Sequence, residues 1–180
     1  MKAWRTEKER LEDDLKEINE KLATEADDAC RSQLQQEARE LVHRLANVYR
    51  DEHEDDDDDD PPALEGLDDI PQVEIDAGVF KYALIEATDP STKERKPFIR
   101  GSTDASYHYQ AAMMVTDRLD ALGIDYEVTG GGRIRHSPAN KEIEIYGYSN
   151  AYGRADHAVT AELCQQKYPN YKVTWGNYGY

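Results

Sequence analysis

Five histidines and one mid-strand lysine are the side chains of this 180-residue chain best suited to chemistry. His43 falls in a helix-forming stretch and His53 in an acidic one, so both read as surface residues. His136 and His157 read as satisfied structural histidines. His108 stands apart, in the first turn of a predicted helix beside its apolar stripe. The positive end of a helix disfavours imidazolium, so this ring tends to stay neutral, and a neutral imidazole is a nucleophile or a base. The same helix end attracts anions. A histidine beside an anion site is an arrangement for phosphoryl chemistry, although on position alone a structural histidine is the commoner outcome. Tyr148–Gly153 (YSNAYG) is the second candidate, a loop whose successive backbone N–H groups can form a nest for an oxyanion; the plain alternative is a strand-to-helix turn. Lys81 is the third, and taken alone it reads as a solvated strand lysine. No GxxxxGK, GxSxG, HExxH or EF-hand spacing occurs, so Gly130–Gly132 is not a P-loop and reads as a tight turn. The two cysteines, Cys30 and Cys164, form no CxxC or Cys/His cluster, which argues against a disulfide framework or a zinc site.

The elements that must position these residues follow from periodicity. Val79–Ala87 alternates, with Phe80, Tyr82 and Leu84 on one face and Lys81 and Ala83 on the other, as a strand does. Phe98–Arg100 is a short strand. Asp104 or Ser106 can cap a helix carrying Ala111, Val115, Leu119 and Leu122 and ending at Gly123. Tyr126–Thr129 and Arg133–His136 flank the three glycines as the arms of a hairpin. Glu142–Tyr148 is a strand, Arg154–Lys167 a second helix before Pro169, and Tyr171–Trp175 a last strand. The fold class expected is α/β of the α+β type, a mixed β-sheet with two flanking helices.

Upstream the texture changes. Residues 3–50 contain no Gly or Pro. Leu11, Leu15, Ile18 and Leu22 form one heptad seam, and Leu34, Ala38, Leu41, Leu45 and Val48 a second that is out of phase with it. A helical hairpin turning near Asp27–Asp28 and one long helix with a break in its heptad phase both fit. Residues 51–69 hold twelve acids and no Lys or Arg, including the run Asp55–Asp60, and read as an extended, disordered linker. The net charge of −16 sits mostly there, because residues 1–50 carry ten Lys/Arg against twelve acids and residues 70–180 twelve against fourteen. Clustered cations, the footprint of a nucleic-acid partner, are absent. No apolar run spans a bilayer and no signal segment is visible, so a cytoplasmic protein without membrane or nucleic-acid partners is expected.

Six blocks then carry a resemblance: GVFKYALI (78–85), the pair Tyr107–His108, GGGRI (130–134), IYGYSNAYG (145–153), DHA (156–158) and KYPNYKVTWGNYGY (167–180). In this order and spacing, residues 71–180 resemble the phosphohistidine phosphatases of the janus/ocnus family. The resemblance implies a compact domain of mixed sheet and two helices that uses no metal and no cofactor and acts on phosphohistidine-containing proteins or peptides. It implies that His108 is catalytic, as nucleophile or general base, that Lys81 contacts phosphate, and that the backbone of Ser149, Asn150 and Ala151 holds it. Arg133, Tyr107 and Tyr109 take supporting places. Tyr109 departs from the small residue expected after the histidine and is expected to narrow the cleft. Residues 1–69 lie outside the resemblance, and self-association is expected to come from residues 3–50. The rival reading is a non-catalytic phosphate-binding scaffold or adaptor assembled through those helices.

Overall fold

The computed structural model describes residues 6–53 and 66–179. The chain divides into two compact units, Met1–Pro62 and Ala63–Tyr180.

The first unit is a helical hairpin. Thr6 caps α1 (Glu7–Thr24), and Glu9 reaches back to the Thr6 N–H at 2.8 Å, so two of the orphan amides of the first turn are satisfied. Asp27 accepts from the Cys30 N–H at 2.9 Å and so caps α2 (Asp28–His53). Between Ala23 and Gln33 no large apolar side chain favours a continuous helix, and the chain turns at Glu25–Asp27 instead. Of the two arrangements the heptads allow, the hairpin is the one formed. Leu11, Leu15 and Leu22 of α1 and Ala38, Val42 and Leu45 of α2 are buried. No helix among the described residues is long and apolar enough to cross a membrane.

Both ends of the stretch 51–69, expected to be extended, carry regular structure. Residues 51–53 finish α2, and Leu67–Asp69 form a 3-10 turn with Leu67 and Ile70 buried. Lys96 anchors that turn through the Leu67 carbonyl at 3.2 Å and Asp68 at 2.6 Å. The acidic run Asp55–Asp60 lies outside the described residues.

The second unit is a six-stranded mixed sheet in the order β1-β3-β2-β4-β5-β6. Its strands are β1 (Val73–Ile75), β2 (Gly78–Thr88), β3 (Arg95–Ser102), β4 (Asp125–Ser137), β5 (Glu142–Tyr146) and β6 (Lys172–Trp175). The end pairs β1–β3 and β5–β6 are parallel and the inner pairs antiparallel. Helices α3 (His108–Ala121) and α4 (His157–Lys167) follow β3 and β5. With the N-terminal helices this is the α+β fold expected.

Both faces of the sheet are buried, which the alternation of β2 explains. Phe80, Tyr82 and Leu84 join Ile134, Ile143 and Ile145 under Leu163 and Cys164 of α4. Ala83, Ile85 and Ala87 join Phe98 under Ala112, Val115 and Leu119 of α3. The face opposite the large residues therefore carries a second core, and Lys81, half-buried, lies on that face at the core's edge.

Several local expectations are overturned. The glycines do not turn a hairpin. β4 runs through Gly130–Gly132 as one strand, because a Cβ at Gly130 would meet the Ala155 backbone at 2.5 Å and one at Gly131 the His108 ring at 2.6 Å. Close tertiary approach, not chain reversal, is what these positions require. The cap of α3 is Tyr107, not Asp104 or Ser106, with the Gln110 side chain accepting from the Tyr107 N–H at 2.9 Å. α4 begins at His157, not Arg154, because the Asp156 carboxylate accepts from the Ala158 and Val159 amides at 3.0 and 3.2 Å. β5 stops at Tyr146, before Gly147 at φ +76°.

Candidate active site

His108 opens α3 beside the sheet and is only 8% exposed. Its Nε2 lies 3.1 Å from the Gly132 carbonyl. A carbonyl only accepts, so the proton sits on Nε2 and Nδ1 keeps its lone pair. Burial pushes the imidazole down to about 4, the cations Lys81 and Arg133 push the same way, and the bond to Gly132 opposes them. At neutral pH the ring is uncharged, as its place at a helix start suggested, though desolvation rather than the helix end is the main cause.

Lys81 comes from β2, opposite Arg133 of β4, so the two cations share the face that α3 covers. Its ammonium donates to the Ser106 carbonyl just before α3 and lies 5.8 Å from the centre of the Tyr107 ring. Lys81 is half-buried, and desolvation followed by the Arg133 charge lowers its proton affinity. A cation held under these conditions is poised to gain from an incoming anion.

The loop after β5 is tied to the same place. Ser149 donates its N–H to the Gly153 carbonyl at 3.0 Å and accepts from the Gly153 N–H at 2.8 Å, closing a tight turn. The Ser149 hydroxyl accepts from the Tyr152 N–H at 3.2 Å. Gly131 then stitches the loop to β4: its N–H donates to the Gly153 carbonyl and its carbonyl accepts from Ala155, each at 3.1 Å. A Cβ at Gly131 would meet both the His108 ring, at 2.6 Å, and Ser149, at 3.0 Å. One glycine thus sits between the histidine and the loop. The Ser149 amide, expected to hold an anion, is spent on closing the turn, so Ser149 shapes the loop. Asn150 and Ala151 stand at its tip, Asn150 half-buried and Ala151 7% exposed.

Tyr107 and Tyr109 stack at 5.9 Å with planes 20° apart. Tyr109 is 2% exposed, so it lies in the interior and does not narrow an open cleft as expected. His157 is structural: its Nε2 donates to the Gly147 carbonyl at 2.9 Å and the Tyr82 hydroxyl donates to its Nδ1 at 2.6 Å. His136 donates from Nδ1 to the Asp76 carbonyl at 2.6 Å and packs on Tyr168 and Tyr171. His43 is exposed, and His53 closes α2. Among the described residues no three His, Cys, Asp or Glu side chains are grouped to hold a metal ion.

Two groups that hold the candidate side chains are main-chain carbonyls, which residue types do not report: Gly132, bonded to His108, and Ser106, bonded to Lys81. The three consecutive glycines were the available signal for the first.

The sequence pattern of the Janus/Ocnus family (Ocnus) matches residues 67–172. The chain is 44% identical to a 14 kDa phosphohistidine phosphatase of Sus scrofa over 124 residues, covering 66% of this chain and 98% of that protein. A 14 kDa phosphohistidine phosphatase of Homo sapiens is also 44% identical, over 117 residues, with 62% of this chain and 94% of that protein covered. The sex-regulated protein janus-A of Drosophila pseudoobscura pseudoobscura is 38% identical over 116 residues, or 62% of this chain and 78% of that protein.

Proposed function

The chain belongs to the Janus/Ocnus family, and on that premise we propose that residues 70–180 form a cytoplasmic, metal-independent protein histidine phosphatase. The observation that carries the reading is the His108 ring: neutral, with its proton committed to Gly132 and a lone pair left on Nδ1. The names of the 44%-identical relatives support phosphohistidine as the substrate class.

In the proposed reaction the phosphoryl group rests on the loop tip at Asn150 and Ala151, with Ser149 holding the loop's shape and Lys81 neutralising the phosphoryl oxygens. Arg133 adds positive potential from the next strand. His108 Nδ1 attacks phosphorus, and the P–N bond of the substrate breaks. The substrate imidazole leaves as a neutral ring that keeps the proton on its second nitrogen. The phosphorylated His108 ring then carries positive charge, which the Nε2–H bond to Gly132 stabilises. Water attacks the phosphorus next, inorganic phosphate leaves, and the lone pair returns to Nδ1. The low proton affinity of His108 favours this role over general base. A base near pKa 4 draws a proton from water poorly, whereas a loose phosphoryl-transfer transition state asks little basicity of its nucleophile.

The N-terminal hairpin stands outside the chemistry in this reading and serves assembly through the faces its two helices leave outside their buried seams, with the acidic stretch acting as spacer. The test is release of inorganic phosphate from a phosphohistidine peptide by the full chain in the presence of EDTA. Turnover is expected. Tight binding of the peptide without turnover would favour a phosphate-binding adaptor instead, and turnover lost to chelation and restored by a divalent ion would overturn the metal-independent mechanism.

A further inference from the structure

Lys81 is held at the site by neutral groups. Its ammonium donates to the Ser106 carbonyl and lies 5.8 Å from the centre of the Tyr107 ring. A lysine stem has four carbons and many rotamers, and Arg133 opposite adds a repelling charge, so a half-buried ammonium stays in one place only if something keeps it there. A carboxylate would keep it there and cancel its charge. A carbonyl and an aromatic face keep it there and leave the full charge for an incoming anion.

Tyr107 is itself held at two points. Its N–H donates to the Gln110 side chain at 2.9 Å, which fixes the root of the side chain. Its ring, half-buried, stacks on the ring of Tyr109 at 5.9 Å with planes 20° apart, within the range of favourable aromatic pairs. Tyr109 is the second residue of α3 and only 2% exposed. A tyrosine enclosed in this way keeps its rotamer, and so fixes the plane of the ring stacked on it. The order of support runs from the interior outward, from Tyr109 to Tyr107 to Lys81.

We propose that Tyr109 is a positioning residue of the phosphate site, and that it acts through the Tyr107 ring to hold the Lys81 ammonium where the phosphoryl oxygens arrive. The inference rests on the phosphatase reading for the part Lys81 plays, and adds an interior residue to the groups on which that part depends. The gain is preorganisation. An anion that meets an ammonium already in place does not bear the cost of ordering its stem. Phosphate oxygens then take over from the Ser106 carbonyl as acceptors, while the Tyr107 ring stays where Tyr109 keeps it.

The test uses the full chain and Tyr109→Leu, which keeps apolar bulk at the position and removes the ring. Three quantities are measured: the Kd for inorganic phosphate, kcat/KM on a phosphohistidine peptide, and Tm. Kd should rise and kcat/KM should fall, each roughly three- to ten-fold, the range that one aromatic or cation–π contact supplies. Tyr109→Phe, which restores the ring, should recover most of both. Tyr107→Leu removes the next link, and its half-buried ring costs less to lose, so it carries the test if Tyr109→Leu does not fold. A double-mutant cycle separates positioning from damage to the fold. In a Lys81→Ala background, Tyr109→Leu should change kcat/KM by less than about twofold, because the group it positions is gone. Equal fractional loss in the two backgrounds, or folded Tyr109→Leu and Tyr107→Leu proteins with the wild-type Kd for phosphate, would overturn the inference. A wild-type chain that binds phosphate and turns over no phosphohistidine peptide would overturn the phosphatase reading, and the Kd comparison would then decide the inference alone.

Discussion

Gly131→Ala tests the geometry around His108 with a single methyl group. The added Cβ would lie 2.6 Å from the His108 Cδ2, 3.0 Å from the Ser149 Cβ and 3.0 Å from the Tyr82 carbonyl oxygen. Non-bonded carbons prefer about 3.5–4.0 Å, so relief requires a movement of roughly 1 Å. The Tyr82 carbonyl is main chain in the middle of β2 and yields least. Ser149 is fixed by its turn to Gly153. The imidazole is the mobile neighbour, and moving it stretches the 3.1 Å bond to Gly132 that commits the proton to Nε2. Misplacement of a reacting group by about 1 Å costs on the order of 10²-fold in rate, and overpacking at a tight site costs about 1–3 kcal/mol of stability. The expected result is a folded protein with Tm lowered by several degrees and kcat on a phosphohistidine peptide lowered about a hundredfold. Gly101→Ala is the control, since its Cβ would crowd the Phe80 ring at 2.6 Å and not the site. It should lose similar stability and keep its kcat. A folded Gly131→Ala protein with wild-type kcat would refute the placement of the catalytic group against β4.

Stability should fall with pH in the window set by His108. The ring is held near pKa 4 in the fold against 6.5 in the unfolded chain, so the unfolded state binds more protons between those values. The protection is complete above about 6.5, declines as pH falls, and is fully lost below about 4, with a limit of about 3 kcal/mol. Denaturant titrations of wild type and His108→Gln at pH 7 and 4.5 check this: the variant should show the smaller drop, with the residue of the slope due in part to His157, which is lowered by burial as well. Lys81→Ala should keep the fold and reduce turnover by about 10²–10³, the cost of one lost electrostatic contact in a catalytic site. A chain truncated to begin at Leu64 keeps Leu67 and Ile70 in the core and every candidate site residue, and should retain most of its turnover while losing self-association, as read by sedimentation.

Local periodicity was enough to find β2, α3, α4 and the last strand, because each carries an apolar pattern that the core then satisfies. Where the sequence misled, the cause was a contact from elsewhere in the chain. Gly130–Gly132 has the composition of a turn, and only the approach of Ala155, His108 and His157 shows why a continuous strand needs three residues without Cβ. Residue types place the cap of α3 in a side chain before the helix, whereas the Gln110 side chain within it accepts from the Tyr107 N–H. Lys81 reads as solvated because its nearest neighbour on that face is Ala83, a small residue that alternation alone does not flag as core, and the larger Ile85 lies a pleat further on. His108 was legible by position, but its tautomer depends on a carbonyl twenty-four residues away, and no spacing reports that.

The central claim is that His108 carries the chemistry, and the measurement that tests it most directly is turnover of a phosphohistidine peptide by folded His108→Ala beside folded His157→Ala. Both side chains are buried and both are bonded to a main-chain carbonyl, so a merely structural role would make the two variants behave alike. Loss of turnover by orders of magnitude in His108→Ala, with His157→Ala active in proportion to the protein that remains folded, is the predicted result. Near-normal turnover in His108→Ala, with collapse in His157→Ala, would contradict the account and move the active site.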